Sequence, residues 1–274
     1  MSYRPESLPI GVFDSGVGGL TVLRALREAL PNESFLYLGD TARLPYGTKS
    51  AKTVERYASQ AAQVLVDRGV KLLVLACNTV SAVAVEPLRE QFRPLPVVGV
   101  VGPGAEAACA ATKTGHVLIT ATEGTIRGRA YERAIRERRP EAVVIGQPCP
   151  LFVALAEEAW TTGSVPELAA RRYLEPQLEA DPRLDTVVLG CTHFPVLAEV
   201  VKTVVGEGVT VVDSARTTAA AVSALLDASG LHRADAAAPT LTLLATDDAE
   251  RFARVGSGFL ATTLRPDDVE LVDL

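Results

Sequence analysis

The sequence predicts an α/β fold of two similar, doubly wound domains with mainly parallel sheets. Short runs of Val, Leu and Ile alternate with segments of helical length, and these runs are apolar at nearly every position. Such strands are typical of parallel sheets whose two faces are both covered by helices. The order of strands and helices also restarts near the middle of the 274-residue chain, which indicates two related halves.

The first half is predicted to contain four strands separated by helical segments. Its longest helix is well marked, because apolar residues recur at helical spacing between Ser50, which can cap the first turn, and Gly69, which can end the last one. The predicted elements are, in chain order, strand 10–13, helix 20–30, strand 34–39, helix 50–69, strand 71–76 and strand 97–100.

The second half repeats this order, and the chain then returns to the first half. Crossings are predicted near residues 100–106 and at Asp213–Ser214. The first domain would then comprise residues 1–100 plus 213–274, and the second residues 101–212. The further predicted elements are strand 116–120, helix 127–139, strand 142–146, a long helical stretch, strand 186–190, strand 209–213, helix 215–228 and strand 239–246.

Composition and charge exclude several classes of function. The formal net charge is −6, and the densest basic run, residues 136–140, reads as a solvated helix end, so nothing predicts binding to nucleic acid or an anionic membrane. No apolar stretch reaches membrane-spanning length, and residues 1–16 contain acids and prolines where a signal peptide would be apolar. We therefore expect a cytoplasmic protein whose thiols are reduced.

Two cysteines follow apolar strands in nearly the same context. The fragments "LLVLACNTVSA" and "VVLGCTHFPVL" place Cys77 and Cys191 directly after predicted strands. Because ligands of parallel α/β sheets bind at the carboxyl ends of strands, one thiol from each half can face the same ligand. Cys109 and Cys149 have no polar neighbours and are interpreted as structural. The four cysteines show no Cys-x-x-Cys spacing, which argues against a disulfide framework or a zinc site.

Both of these cysteines are also predicted to precede a helix. Thr79 or Ser81 can cap the helix after Cys77, and Pro195 suits the first turn of the helix after Cys191. A helix N-terminus stabilises the thiolate and lowers the pKa of a thiol.

Polar residues follow other strands as well. In "FDSGVGG" (13–19), Asp14 and Ser15 precede a glycine turn that fits either an anion-binding loop or simply a tight turn, and it lacks the spacing of the dinucleotide motif. In "GDTARLPYG" (39–47), Asp40 follows a strand, and the turn at Pro45-Tyr46-Gly47 is either functional or merely a surface turn.

Three further residues can contribute from the second half. Thr122 and Thr125 are either hydroxyl donors for a carboxylate or parts of an ordinary helix cap. Glu157 can reach His193, although periodicity also fits exposure of both Glu157 and Glu158.

Two thiols that face one ligand suit proton transfer at a carbon atom. Inverting a carbon centre requires one acid–base group on each face, and a thiol in a tuned environment can hold or release a proton near neutral pH. Asp14 and His193 would tune the two thiols, while Ser15, Asn78 and the threonines would bind carboxylate and ammonium groups. No lysine stands at these strand ends to form a Schiff base with pyridoxal phosphate. The residues therefore point to an amino-acid racemase that needs no cofactor.

Five ordered motifs closely resemble those of the glutamate racemases, cofactor-independent enzymes that make D-glutamate for peptidoglycan. They are "FDSGVGGLTV", "DTARLPYG", "LACNTVSA", "CPLFVALAEE" and "LGCTHFPVL", and "VVDSARTTA" extends the likeness to nearly the whole chain. The resemblance implies two α/β domains related by a pseudo-twofold axis, glutamate held between them, and a homodimer. Ala154 departs from the pattern, since the family usually has proline there, and Gly102 stands where relatives often carry a charge.

Carried over residue by residue, the resemblance makes Cys77 and Cys191 the catalytic acid–base pair. Cys77 would deprotonate D-glutamate with help from Asp14, and Cys191 would deprotonate L-glutamate with help from His193, which Glu157 supports. The substrate-binding residues that the resemblance implies are Asp14, Ser15, Pro45, Tyr46, Gly47, Asn78, Thr79, Thr122, Thr125, Thr192 and His193.

Two alternatives stay open. The same scaffold serves aspartate and hydantoin racemases, and the sequence does not measure the depth of the pocket. A protein of another class would use Cys77, Cys191 and His193 for metal or redox chemistry, although these residues lack close ligand spacing. The leading hypothesis expects no metal, no cofactor, and a small-molecule substrate as the ligand.

Overall fold

The computed structural model describes residues 5–234 and 237–274 of the chain. Ten strands lie in this part of the protein. They are β1 (Ile10–Asp14), β2 (Phe35–Gly39), β3 (Leu72–Leu75), β4 (Val97–Gly99), β5 (His116–Ala121), β6 (Val143–Pro148), β7 (Thr186–Gly190), β8 (Thr210–Asp213), β9 (Leu241–Ala245) and β10 (Val269–Leu271).

Helices connect and cover these strands. They are α1 (Leu20–Ala29), α2 (Ala51–Asp67), α3 (Asn78–Ser81), α4 (Val85–Gln91), α5 (Val101–Ala111), α6 (Glu123–Gly128), α7 (Ala130–Arg138), α8 (Pro150–Glu157), α9 (Ser164–Ala180), α10 (Ala198–Val205), α11 (Ser214–Ser229) and α12 (Ala249–Leu260). None of the helices in the described ranges is long and apolar enough to cross a membrane.

The strands form two sheets, and every neighbouring pair is parallel. The six-stranded sheet has the order β10-β9-β2-β1-β3-β4, and the four-stranded sheet has the order β6-β5-β7-β8. The α/β class with parallel sheets, predicted from the apolar strand runs, is therefore confirmed. The inner strands β1, β3, β5 and β7 are buried at every position, because helices cover both faces.

The chain enters the second sheet once and then returns to the first. Strands of the six-stranded sheet come from residues 10–99 and 241–271, and those of the four-stranded sheet come from residues 116–213. Helix α11 belongs to the core of the first sheet, since Val222 and Leu226 are buried in one cluster with residues of β1 and α1. The domain division, residues 1–100 plus 213–274 and residues 101–212, stays a prediction.

Local sequence signals account for the ends of several helices. Ser50 caps α2 by accepting a hydrogen bond from the Thr53 N–H at 3.3 Å, and Gly69, just after α2, has a φ of 78° that suits glycine. Both signals were predicted.

Three elements differ from the prediction. The helix predicted over 127–139 is two helices, because Thr122 starts α6 earlier and Arg129 breaks the chain with a left-handed φ of 51°. The long helical stretch before β7 is also two helices, α8 and α9, which Gly163 at φ 89° helps to separate. Strand β10 was missed, since two of its three side chains are exposed and it carries no continuous apolar run.

Candidate active site

The carboxyl ends of strands from both sheets meet at one cavity of about 600 Å³. Most of the residues singled out from the sequence line it. They are Ser15, Pro45, Tyr46, Gly47, Cys77, Asn78, Thr79, Thr122, Glu157, Cys191, Thr192 and His193. Asp14 and Thr125 do not line the cavity and are buried behind its wall. The structure therefore brings the two cysteines of the matching fragments to a single pocket.

On the first side, the Cys77 thiol lies between β3 and the short helix α3. Its Sγ is 3.3 Å from the Ser15 hydroxyl, which the turn after β1 presents. Burial raises the pKa of Cys77 to about 12, and the nearby Asp14 charge adds to the effect. The expectation that a helix N-terminus lowers the pKa of this thiol is wrong, because α3 has only four residues and Cys77 is 5% exposed.

The predicted caps of this helix are also wrong. The helix begins at Asn78 with Cys77 at the cap position, so Thr79 and Ser81 lie inside it. Ser81 instead donates to the Leu75 carbonyl at 2.8 Å and accepts from the Val100 N–H at 3.1 Å. This hydroxyl therefore joins the end of β3 to the residue after β4.

The Asp14 side chain is buried behind the cavity wall and does not line the cavity itself. One carboxylate oxygen accepts from the Gly16 N–H at 2.9 Å, while the other, also buried, has no hydrogen-bond partner among the described residues. Burial is the main reason why the pKa of Asp14 is raised, and the His193 charge opposes it. Gly19 has no side chain here because a Cβ would lie 2.4 Å from the Asp14 Cβ.

On the second side, Cys191 lies beside an imidazole. Its Sγ is 3.8 Å from His193 Nδ1, and His193 Nε2 is 3.2 Å from Glu157 Oε1. Glu157 Oε2 in turn accepts from Arg251 Nη2 at 2.6 Å. The structure thus places Glu157 against His193, whereas Glu158 is exposed. Pro195 lies in the first turn of a short 3-10 helix after this loop, as predicted.

The groups around His193 favour the protonated form of its imidazole. Burial by itself lowers the pKa of His193, but the hydrogen bonds to Cys191 and Glu157 outweigh it and raise the pKa to about 10. The hydrogen bond to His193 holds the pKa of Glu157 below its usual range. Arg251, Glu157 and His193 therefore form a chain of alternating positive and negative groups that ends beside Cys191.

Three threonine hydroxyls form a cluster where the two halves meet. The Thr79 Oγ1 is 3.1 Å from that of Thr122 and 3.2 Å from that of Thr125, which are 3.1 Å from each other. Thr122 also caps α6 by accepting from the Thr125 N–H. The interpretation of Thr122 as a helix cap is therefore confirmed. The role of these hydroxyls as donors to a carboxylate stays a prediction, and of the three only Thr79 and Thr122 line the cavity.

Asn78 has one half of its amide group fixed and the other half open. Its Oδ1 accepts from the Tyr131 hydroxyl at 2.7 Å, and its buried Nδ2 has no partner among the described residues. Because Asn78 lines the cavity, its N–H₂ group can donate to a bound carboxylate.

Asp40 is a structural support and does not line the cavity. Its carboxylate accepts from the Tyr46 hydroxyl, from Arg43 Nε at 2.5 Å and from the Thr246 hydroxyl at 2.9 Å. These bonds hold the turn that carries Pro45, Tyr46 and Gly47 against the pocket.

Sequence reasoning missed two contacts that position side chains of this site. Arg251 lies in α12, in the tail where no motif was recognised, and its ion pair with Glu157 joins positions 94 apart in the chain. Tyr131 was placed in a helix, but its contact with Asn78 depends on how the two halves pack. Helical periodicity could have placed both on buried or half-buried faces, without indicating their partners.

The other two cysteines do not belong to the reaction site. Cys149 follows β6 and is buried, while Cys109 is half-buried on α5. The residues before Cys149 and Cys191, Pro148 and Gly190, both pair with Ala121, so these two strand ends are two strand spacings apart, about 10 Å. All four cysteines are free thiols. Within the described ranges, no cluster of three His, Cys, Asp or Glu side chains could hold a metal ion.

Known proteins match the chain in sequence and in fold. A sequence profile of the family described as Asp/Glu/Hydantoin racemase matches residues 10–222. The glutamate racemase of Geobacter metallireducens is 50% identical over 255 residues, which cover 93% of each chain. The crystal structure of glutamate racemase from Francisella tularensis in complex with D-glutamate is 35% identical, with a TM-score of 0.90 and 98% of both chains covered. That from Thermus thermophilus in complex with beta-chloro-D-alanine is 41% identical, with a TM-score of 0.87 and 99% of both chains covered.

Proposed function

The chain belongs to the Asp/Glu/Hydantoin racemase family, and from this membership and the geometry of the cavity we propose that it is a glutamate racemase. It interconverts L- and D-glutamate by proton transfer between the α-carbon and the thiols of Cys77 and Cys191. The observation that carries this proposal is that the two thiols end strands of different sheets and line one cavity.

The proposed reaction takes the proton from one face of the α-carbon and adds a proton to the opposite face. In the L-to-D direction, the Cys191 thiolate takes the α-proton of L-glutamate, and the electron pair of the broken C–H bond stays on the substrate as a carbanion. The Cys77 thiol then gives its proton to the opposite face, which forms D-glutamate and leaves a Cys77 thiolate. Proton exchange with solvent returns both thiols to the starting state. The reverse reaction uses the same groups in reversed roles.

The surroundings of each thiol support these starting states. The raised pKa of Cys77 keeps this thiol protonated at neutral pH, ready to donate. His193, held by Glu157, lies beside the Cys191 sulfur, so a protonated imidazole there stabilises the negative charge that the proposed base carries. Asp14 contributes to the field at Cys77 rather than to a contact with substrate.

Polar groups around the cavity suit a dicarboxylic amino acid. The open N–H₂ group of Asn78 and the threonine hydroxyl cluster offer donors to carboxylates, and Ser15, Tyr46 and Gly47 line the wall near Cys77. We propose Ser15, Pro45, Tyr46, Gly47, Asn78, Thr79, Thr122, Thr192 and His193 as the substrate-binding residues, with Asp14 and Thr125 acting from behind the wall. A cavity of about 600 Å³ does not by itself separate glutamate from aspartate. The relatives named above favour glutamate, and the relative turnover of the two amino acids decides the point.

The test uses purified protein in deuterated buffer with no added cofactor. We expect L-glutamate to become a racemic mixture with deuterium at the α-carbon, as followed by circular dichroism and NMR. Cys77→Ala and Cys191→Ala should each abolish racemisation, with a loss on the order of 10³-fold or more. Cys109→Ala, outside the cavity, is the matched control and should keep wild-type activity. Full racemisation in either cavity variant would remove the two-thiol proposal.

The cellular role follows from the same family. We propose that the product D-glutamate serves peptidoglycan synthesis and that the protein acts in the cytoplasm, where thiols stay reduced, because an oxidised thiol cannot carry a proton. A homodimer is also proposed. The exposed side chains of Leu151, Trp160 and Leu168 near α8 and α9 support a partner surface, and light scattering of the purified protein tests it.

A further inference from the structure

The acid–base groups beside Cys191 receive support from the other half of the molecule. Helix α12 packs on the six-stranded sheet through buried residues such as Phe252 and Val255. From this position Arg251 donates to Glu157 at 2.6 Å, and the ring of Phe259 lies edge-on to His193 with the ring centroids 5.2 Å apart. No equivalent contact reaches Cys77 from the second half in the described residues.

Glu157 links these contacts because each of its oxygens has a different partner. Oε2 accepts from the guanidinium of Arg251, and Oε1 faces His193 Nε2 at 3.2 Å. The other imidazole nitrogen, Nδ1, faces the Cys191 sulfur at 3.8 Å. A continuous path of polar contacts therefore runs from α12 of the first half to the thiol of the second half.

We propose that Arg251 is a positioning residue for the Cys191 thiol and acts through Glu157 and His193. It forms a cross-cleft ion pair and touches none of the reacting atoms. This inference rests on the proposed two-thiol racemisation.

The physical reason is the geometry of the carboxylate. A carboxylate with both oxygens bonded cannot rotate freely, so it presents one fixed acceptor to the imidazole. That fixed bond sets the orientation of the ring and places Nδ1 toward the sulfur. Without Arg251, the half-buried Oε2 would lose its partner, and the carboxylate could turn away from His193.

Arg251 also lines the cavity, which suggests a competing role as a direct ligand of the substrate's side-chain carboxylate. The two roles predict different kinetics. A ligand of the substrate acts mainly on KM and on the preference for glutamate over aspartate. A positioning residue acts on the proton-transfer step at Cys191.

The experiment compares Arg251→Gln with Arg254→Gln in the full-length protein. Arg254 lies on the same helix and is exposed, so the control removes the same charge without touching Glu157. We expect a fall in kcat/KM of about 10-fold to 100-fold for Arg251→Gln, equal in both directions because the two enantiomers have equal free energy. Arg251→Lys, which keeps the charge, should recover part of the loss. Circular dichroism shows that each variant is folded.

The decisive readout is the isotope effect on kcat/KM with α-deuterated substrate. Weakening the Cys191 side makes abstraction from L-glutamate more rate-limiting. The isotope effect should therefore rise for deuterated L-glutamate and fall for deuterated D-glutamate, with no change in Arg254→Gln.

Different contrary outcomes would overturn the role of Arg251 and the proposed racemase function. Unchanged isotope effects with a raised KM would make Arg251 a substrate ligand and overturn the inference, as would equal behaviour of Arg251→Gln and Arg254→Gln. Absence of racemisation in the wild-type protein, or its survival in Cys191→Ala, would instead overturn the proposed function.

Discussion

Cys77 and Cys191 follow topologically equivalent strands, yet their surroundings differ in charge. The order β2-β1-β3-β4 in the first sheet matches β6-β5-β7-β8 in the second, and each cysteine follows the third strand of its set. Around Cys77 lie a hydroxyl and a buried carboxyl group, and around Cys191 lies an imidazole with its own ion pair. The fold thus repeats in the two halves while the local chemistry does not.

In the proposed racemisation, this difference lets two similar halves perform opposite tasks. An interconversion of mirror-image molecules needs a base on one face and an acid on the other at the same moment. Two identical sites would start with both thiols in the same protonation state. In the proposed reaction, the buried Cys77 thiol keeps its proton and acts as the acid, while Cys191, beside the His193 imidazole, acts as the base.

After loss of either thiol itself, the largest expected effect comes from removing the charged partner of Cys191. His193→Gln should lower kcat/KM by about 100-fold in both directions, because the thiolate loses its counter-ion. Ser15→Ala, which removes the neighbour of Cys77, should cost less than about tenfold. The measurement is initial-rate kinetics with each enantiomer, and equal losses in the two variants would contradict the asymmetry.

His193 should also make the stability of the protein depend on pH. The pKa of His193 is raised from 6.5 to about 10 in the folded protein, so its contribution to stability is complete below pH 6.5 and is lost as the pH rises toward 10. The unfolding free energy of the wild type should therefore fall relative to His193→Gln across this window. Urea unfolding at several pH values measures it, and a constant difference would show that the imidazole is neutral.

A smaller effect is expected where the first half packs against the His193 loop. A Cβ at Gly18 would lie 2.4 Å from His193 Nδ1 and 2.5 Å from Thr192 Oγ1. Gly18→Ala should therefore shift the imidazole and lower kcat/KM by about 10-fold or more. Gly102→Ala is the matched control, since a Cβ there has no neighbour within 4 Å. Wild-type kinetics in Gly18→Ala would show that the loop adapts and that the position of His193 is not critical.

The smallest effect is expected beside Cys77. Tyr131→Phe removes the hydroxyl that holds the Asn78 amide, so KM should rise by about three- to tenfold with little change in kcat. Steady-state kinetics give both constants. A fall in kcat with an unchanged KM would instead connect Tyr131 with the proton-transfer step.

The sequence predicted those features that depend on neighbouring residues. Apolar runs indicated the strands and thus the α/β class, and polar residues after these runs marked the positions that now surround the cavity. The turn of Asp14 and Ser15, the cysteines and the His193 loop were all found in this way. Parallel strands align their carboxyl ends, so a local pattern was enough to gather them.

The sequence could not predict features that depend on packing between distant segments. The pKa of Cys77 depends on burial and on the charge of Asp14, so a rule based on the helix start alone had the wrong sign. Asp40 follows a strand, as the cavity residues do, but its carboxylate turns toward Arg43, Tyr46 and Thr246. The contact of Arg251 with Glu157 joins two helices from different cores, and no periodicity records it.

Hydrogen exchange without inversion tests most directly whether each thiol serves one face of the substrate. In deuterated buffer, Cys77→Ala retains Cys191 and should place deuterium on L-glutamate without forming the D enantiomer, while D-glutamate stays unlabelled. Cys191→Ala should show the opposite pattern. Labelling of the same enantiomer by both variants, as read by NMR and chiral chromatography, would contradict the assignment of one thiol to each face.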